Sequence, residues 1–450
     1  MSIKRTANNA LLAALLLVFV AGLVFIFRSQ VGTNSRTAAK DSQEATLLPA
    51  LTPPPSPTLN PTEIAEQNRT PVPFIVTPIP PEISSEVKAS GAVFNLRTFA
   101  DQDPFLFAGW SPDGSLALVR RKIQVDDYLV NQYAAGFGTH ATLTDLWVID
   151  TEGNYRMKLS DAAVAWAWSP DSKSVLFTEP VNPKGGVDVY LMIASLDSGQ
   201  IDSIATADFI AGEDLSNLQW LPTGHIFFSR GDSVYRINPD GTSLSAATPL
   251  QLLPHYTEDE QGSPVPGSAF KVCPDESKIA YTLLSEKGSN TLWIANLDGS
   301  DAAQVAELPP SFEWKPDCSQ LVFASIHKYP GTRYESNIMI VDRDGKNPKE
   351  VVPVSEPDEV NDFPRWIDNT NWIIYSKRVP GFDPNGRLEI QFWKVDPISN
   401  KATPLVQHAG WIPYLSTDGR WLAFNAQVTS NYDLTPNTMN AFVAQIDPAK

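Results

Sequence analysis

Past residue 90 the chain repeats one hydrophobic pattern. Short apolar runs recur, LALV at 116–119, VLFT at 175–178, IFFS at 226–229, IAYT at 279–282, LVFA at 321–324, WIIY at 372–375 and WLAF at 421–424. Runs of this length, bounded by turn residues, predict strands buried between two sheets. A second strand follows each one after a variable gap and ends in Asp or Asp-Gly: 146–150, 189–197, 234–241, 292–299, 338–345, 392–396 and 442–447.

The turn before each apolar run reads Trp, any residue, Pro, Asp and often Gly. Good copies are Trp110-Ser111-Pro112-Asp113-Gly114, Trp168-Ser169-Pro170-Asp171-Ser172, Trp220-Leu221-Pro222-Thr223-Gly224, Val272-Cys273-Pro274-Asp275-Glu276 and Trp314-Lys315-Pro316-Asp317-Cys318. Trp366-Ile367-Asp368-Asn369 and Tyr414-Leu415-Ser416-Thr417-Asp418-Gly419 are degraded copies. Pro presets φ for a tight turn, Asp hydrogen-bonds the backbone it caps, and Gly accepts the positive φ that closes it. The Trp is large enough to fill a wedge between neighbouring sheets. All these residues are therefore read as structural.

Seven copies at steps of about 42 to 58 residues indicate an array of one repeated unit, not unrelated domains. Four short strands per unit, arranged radially, give an all-β propeller, expected here to have seven blades, with six or eight as the alternatives. The last copy ends one strand short. Residues 91–96, apolar and ahead of the first Trp, are expected to supply that strand and so pair the two ends of the domain.

The N-terminal region breaks the pattern. Lys4 and Arg5 precede an uncharged stretch from Ala10 to Phe27, which is long enough to cross a hydrocarbon core as a helix. The expectation is a transmembrane signal anchor over 1–30 with the short basic tail inside and the remainder extracytoplasmic. Residues 31–90 are read as a linker whose Pro-rich part, with LTPPPSPT, TPVPF and TPIPP, favours extended polyproline II and acts as a semi-rigid spacer. Residues 91–450 form the propeller. The protein is thus expected in the cell membrane as a single-pass chain with the propeller at the cell surface or in the periplasm.

Composition narrows the function. The 450 residues hold 34 Lys and Arg against 51 Asp and Glu, a formal charge of −17, and no basic run that would serve a phosphate backbone, so nucleic acid is not an expected partner. Residues 1–81 carry 6 basic and 4 acidic residues, so the acidity belongs to the propeller. No G-x-S-x-G, H-E-x-x-H or G-x-x-x-x-G-K-[ST] motif occurs. No catalytic residue, cofactor or metal is assigned. Cys273 and Cys318 occupy turns of adjacent copies at different offsets. They could form a disulfide if their Cα atoms lie within about 7 Å, or they could be two small turn residues.

The WSPDG turn, followed by a strand and an aromatic-rich strand ending D-x-D-G, resembles the WD40-like repeats of the TolB family and of the propeller domains in prolyl-oligopeptidase-type peptidases. The resemblance covers the chain after residue 90 and implies fold. Its matching residues are turn and packing residues and imply no activity. The peptidases carry their Ser, Asp and His in a separate hydrolase domain that has no counterpart in this repeat region.

On this fold the Pro-Asp turns and the Asp-Gly turns share one face. The longer connections, including 122–144, 179–186, 254–268, 326–336, 377–387 and 427–439, collect on the other. Candidate binding residues there are Tyr128, Tyr133, His140, His255, Tyr256, His327, Tyr329, Arg333, Tyr334, Arg378 and Arg387. Aromatic and Arg side chains suit a protein or surface-polymer ligand. The competing reading is a metal-dependent, lyase-like glycan enzyme with a site at the channel mouth, motivated by His140, His255, His327 and His408.

Overall fold

The computed structural model describes residues 88–447 except 90–91, 99–105, 123–143, 152–155, 182–187, 209–214, 231–232, 249–255, 259–263, 267–268, 285–289, 308–310, 330–332, 368–369, 383–387, 408, 411 and 428–438. The expected anchor and Pro-rich spacer lie outside the described residues. Among the described residues no helix is long and apolar enough to cross a membrane.

The domain is an all-β propeller. Five sheets are four-stranded. Sheet I contains Leu106–Trp110, Leu116–Lys122, Thr144–Asp150 and Arg156–Ala163. Sheet II contains Ala165–Trp168, Ser174–Val181, Asp188–Ser195 and Ile201–Asp208. Sheet III contains Leu215–Trp220, Ile226–Arg230, Ser233–Ile237 and Ser245–Thr248. Sheet IV contains Phe270–Val272, Lys278–Leu284, Asn290–Asn296 and Ala303–Glu307. Sheet VI joins Tyr414–Leu415, Trp421–Gln427 and Met439–Ile446 to Val93–Thr98 from the other end of the domain.

Sheet V has nine strands. Two meanders make it up, one from Phe312–Trp314 to Lys349–Val352, the other from Val360–Trp366 to Lys401–Gln407. Among the described residues their ladder pairing is one parallel bridge, Ser336 to Val360. That junction is polar: the Ser336 hydroxyl donates to the Asn361 carbonyl (2.7 Å) and accepts from the Asn361 N–H (3.0 Å). The short strand Lys88–Ala89, inside the segment read as linker, pairs with Lys401–Gln407.

Alternation along the strands places apolar side chains on both sheet faces, and each neighbouring pair encloses an apolar cluster. Leu118 and Val148 meet Val175 and Phe177; Leu176 and Leu191 meet Leu215 and Phe228; Phe227 and Val234 meet Phe270 and Ile279. Ala280 and Leu292 meet Trp314 and Phe323; Val322 and Ile340 meet Trp366 and Tyr375; Ile374 and Phe392 meet Leu422 and Phe424. The series closes where Ala423 and Val443 of sheet VI meet Phe107 and Trp110 of sheet I. Each fully buried Phe or Leu side chain contributes roughly 1.5–3 kcal/mol.

Two polar contacts reinforce this closure across a wide chain separation. The Asn425 carboxamide accepts from the Phe107 N–H (2.6 Å) and donates to the Phe107 carbonyl (3.0 Å). The Trp110 indole donates to the Tyr414 carbonyl (3.0 Å). Pairing of Val93–Thr98 with Met439–Ile446 completes the sheet that the last repeat leaves one strand short.

The repeat turns carry the hydrogen bonds their sequence predicts. Gly114 N–H donates to the Ser111 carbonyl (2.9 Å), Ser172 to Ser169 (3.0 Å) and Cys318 to Lys315 (2.8 Å). Asp113 accepts from the Ser111 hydroxyl (2.7 Å), Asp171 from the Ser169 hydroxyl (2.7 Å) and Asp317 from the Ser319 N–H (2.9 Å). The residue closing each turn is left-handed, with φ 71° at Gly114, 63° at Ser172, 58° at Glu276 and 60° at Cys318. Pro112 and Pro170 are half-buried, whereas Pro316 is exposed. Trp110, Trp314 and Trp366 are buried in the clusters between sheets; Trp168 and Trp220 pack against theirs half-buried.

That left-handed residue reaches back to the turn of the preceding sheet. Ser172 Oγ accepts from the Asp113 N–H (3.0 Å), and the Glu276 carboxylate meets Thr223 and His225. Cys318 occupies the same place and is joined by a disulfide to Cys273, with Cα atoms 5.8 Å apart. The different offsets of the two cysteines bring them together, because one is the closing residue of its turn and the other is the opening residue of the preceding turn.

Candidate functional site

The strands that lead into the Trp-Pro-Asp turns line the inner edges of the sheets. At the position immediately before the repeat Trp, successive units carry Gly109, Ala167, Gln219, Lys271, Glu313 and Arg365, and Tyr414 takes this place in the last unit. Three of these strands are bulged, that of sheet I between Phe107 and Gly109. The register shifts between Ser216 and Gln219, with Asn217 at φ 52°, and between Asp362 and Arg365, with Phe363 at φ 49°. A bulge inserts a residue and re-aims the side chain that follows. Here the re-aimed side chains are Gln219 and Arg365.

Those inner-edge residues form a polar wall. The Gln219 carboxamide accepts from the Val272 N–H (2.8 Å) and ties sheet III to sheet IV. Arg365 pairs with Glu313 across the two meanders of sheet V. Lys271 feels the Arg365 charge, and Tyr414 feels Arg365 and Arg120 together. Arg120 reaches in from the second strand of sheet I, its guanidinium carbon 5.8 Å from the Trp166 ring centroid. The indoles of Trp166 and Trp314 donate to the carbonyls of Ala108 (3.1 Å) and Lys271 (2.8 Å), satisfying inner-edge backbone groups.

The electrostatics follow from enclosure. Burial first, and the Arg365 charge second, push the Lys271 ammonium down to about 8. Burial lowers both guanidinium groups, Arg120 and Arg365, and raises the Tyr414 phenol. Each of these side chains remains half-buried, so water reaches a cluster that protein surrounds. Among the described residues named here, three cations against one carboxylate leave this stretch of the channel wall positive inside a domain whose total charge is strongly negative.

The residues expected on the long-loop face are distributed differently. Tyr128, Tyr133, His140, His255, His408 and Arg387 lie outside the described residues. Tyr256 starts a two-stranded hairpin and pairs with Pro266. His327, Tyr329, Arg333 and Tyr334 share the hairpin of Gln320–Tyr329 and Arg333–Asp342, with His327 opposite Glu335, Lys328 opposite Tyr334 and Tyr329 opposite Arg333. The His327 side chain is exposed. Arg378 is half-buried and donates to the Asp358 carbonyl (3.3 Å), a contact that fixes the loop ahead of Val360–Trp366.

Beneath that loop the buried Glu359 carboxylate accepts from the Ser355 hydroxyl (2.5 Å), Asn361 Nδ2 (2.8 Å) and Lys377 Nζ (3.0 Å). Among the described residues one group of metal-type ligands converges, Cys273, Asp275 and Cys318, and the disulfide occupies both sulfurs.

Sequence reasoning missed the channel wall. The signal was available: aligning the repeats on Trp and reading the preceding column gives Gln, Lys, Glu and Arg in four consecutive units. A structural reading of the repeat discards that column because its chemistry varies.

No protein-family model matches the chain, and no curated relative does. Solved structures similar to it include TolB proteins. TolB from Acinetobacter baumannii is 14% identical with a TM-score of 0.38, and the similarity covers 59% of each chain. The β-propeller domain of the Trilobed protease from Pyrococcus furiosus is 11% identical with a TM-score of 0.46, covering 72% of this chain and 91% of that one. An oligogalacturonate lyase in complex with manganese is 11% identical with a TM-score of 0.45, covering 78% of this chain and 98% of that one.

Proposed function

We propose that the protein is a membrane-anchored, extracytoplasmic, seven-bladed propeller that binds another protein or a surface polymer through its long-loop face. The blade count treats each meander of sheet V as one blade. In support, their only ladder contact among the described residues is the Ser336–Val360 bridge, and an apolar cluster separates them as it separates every other neighbouring pair.

The observation that carries the binding reading is the asymmetry of the two faces. One face consists of tight turns closed by single left-handed residues. The other receives the extended hairpins of Gln320–Tyr329 with Arg333–Asp342 and of Ile373–Phe382 with Leu388–Asp396, and the connection that contains the Tyr256–Pro266 hairpin. A rigid scaffold that concentrates its variable segments on one side is built for recognition. The anchor at 1–30 and the Pro-rich spacer would tether the propeller to the bilayer through a semi-rigid link.

Affinity capture with the full-length protein tests this. Shortening 123–143 to a tight turn is expected to abolish recovery of a partner that the unaltered chain retains, whereas equal recovery by both refutes the loop face.

A further inference from the structure

We propose that the channel wall binds a carboxylate, held between the Lys271 ammonium and the Arg365 guanidinium, with Arg120 as a second cationic donor. This site is separate from the long-loop face and does not depend on it.

The argument rests on placement. Lys271, Glu313 and Arg365 come from the same repeat position in three consecutive inner strands, so their backbones are fixed by three separate ladders. The bulge at Asp362–Arg365 costs ladder hydrogen bonds, and its effect is to aim Arg365 at Glu313. Packing alone would fill this column with apolar residues, as Ala167 does in sheet II. Enclosing like charges without a counterion is unfavourable. Glu313 pairs with Arg365, and among the described residues neither Lys271 nor Arg120 forms an ion pair with a carboxylate, so this part of the wall carries about two uncompensated positive charges.

The chemistry favours a carboxylate. A guanidinium presents a planar fork of donors matched to two carboxylate oxygens, and Arg365 already pairs with the Glu313 carboxylate through one nitrogen. A neighbouring ammonium adds a compact charge on the same side. Low-dielectric walls strengthen the field of such a cluster, and the acidic exterior makes the channel the favourable place for an anion within the domain.

Calorimetric titration of citrate into the full-length protein at pH 7 tests the proposal, with sulfate and a hexaglutamate peptide as parallel titrants. Saturable citrate binding is expected, weakened at least about tenfold by Lys271→Met, since hydrogen bonds between charged groups are worth roughly that factor or more. Lys271→Arg should retain binding. Lys271→Met removes a charge beside Arg365 and should fold. Arg120→Gln, outside the Arg365–Glu313 pair, should weaken binding as well. Citrate without peptide binding identifies a free small carboxylate, and peptide without citrate identifies one presented on a polypeptide. No saturable binding of either, equal binding of sulfate, or unchanged binding by Lys271→Met would overturn the proposal.

Discussion

Replacing Cys273 and Cys318 together by Ser removes the one covalent link between neighbouring sheets found among the described residues. The replacement is conservative, because Ser111 and Ser169 occupy the place of Cys273 in other turns and Ser172 occupies that of Cys318. The bridge closes a loop of 45 residues. Chain-entropy reasoning assigns such a loop about 4 kcal/mol of stabilisation at 25 °C, through the unfolded state. A domain of about 360 residues, 91–450, loses roughly 0.75 kcal/mol per degree near its midpoint. The double variant should therefore unfold about 5 °C below the oxidised protein. Differential scanning calorimetry with and without a thiol reductant measures this, and the reductant should lower the wild-type midpoint by the same amount while leaving the variant unaffected. Equal midpoints for variant and wild type, with reductant inert on both, would refute the reasoning from loop entropy.

Three further outcomes follow from the same contacts. Asn425→Ala strips both hydrogen bonds from the Phe107 backbone at the closure between sheets VI and I and should cost about 2–4 kcal/mol in urea unfolding, against less than about 0.5 if the closure is held by apolar packing alone. Carboxyls in the turns, among them Asp171 with the Ser169 hydroxyl and Lys173 N–H, and Asp298 with the Ser300 hydroxyl and N–H, lie below their ordinary 3.8. Their stabilisation is therefore present above pH 3.8 and lost as pH falls through the lower folded values, so the melting temperature should drop on acidification; a flat profile from pH 5 to 2 would contradict it. Lys271 has a linkage of the same sign in a higher window: its folded value of about 8 lies below the usual 10.5, so the unfolded chain binds the extra proton and stability rises with pH between those limits. Lys271→Met should raise the melting temperature at pH 7, with a gain that shrinks toward pH 10.5; an equal change at both pH values would locate its cause in packing.

The fold was legible because the turn chemistry is local. Pro, Asp and a left-handed closing residue specify the same turn wherever they occur, and the apolar runs that follow must be covered on both faces. Even the end-to-end pairing showed, as an apolar strand ahead of the first turn and a missing one after the last. The channel wall was less legible, since Lys271, Glu313 and Arg365 are each unremarkable in sequence and acquire a common environment only when consecutive inner strands are brought side by side. The disulfide fell between these cases. Its two cysteines look mismatched until the closing residue of each turn is seen to reach back to the preceding sheet, as Ser172 does to Asp113. Arg378, a candidate for the loop face, donates to the Asp358 carbonyl, a backbone contact that its place in the sequence does not reveal.

The most direct test of the central claim is site-specific photo-crosslinking of the full-length protein in its native cells. A crosslinkable residue at His327, exposed on the extended hairpin of the long-loop face, is compared with one at Asp298, in a tight turn on the opposite face. The account predicts a discrete adduct from position 327 and none from 298. Adducts from 298 alone, or from both positions equally, would contradict it.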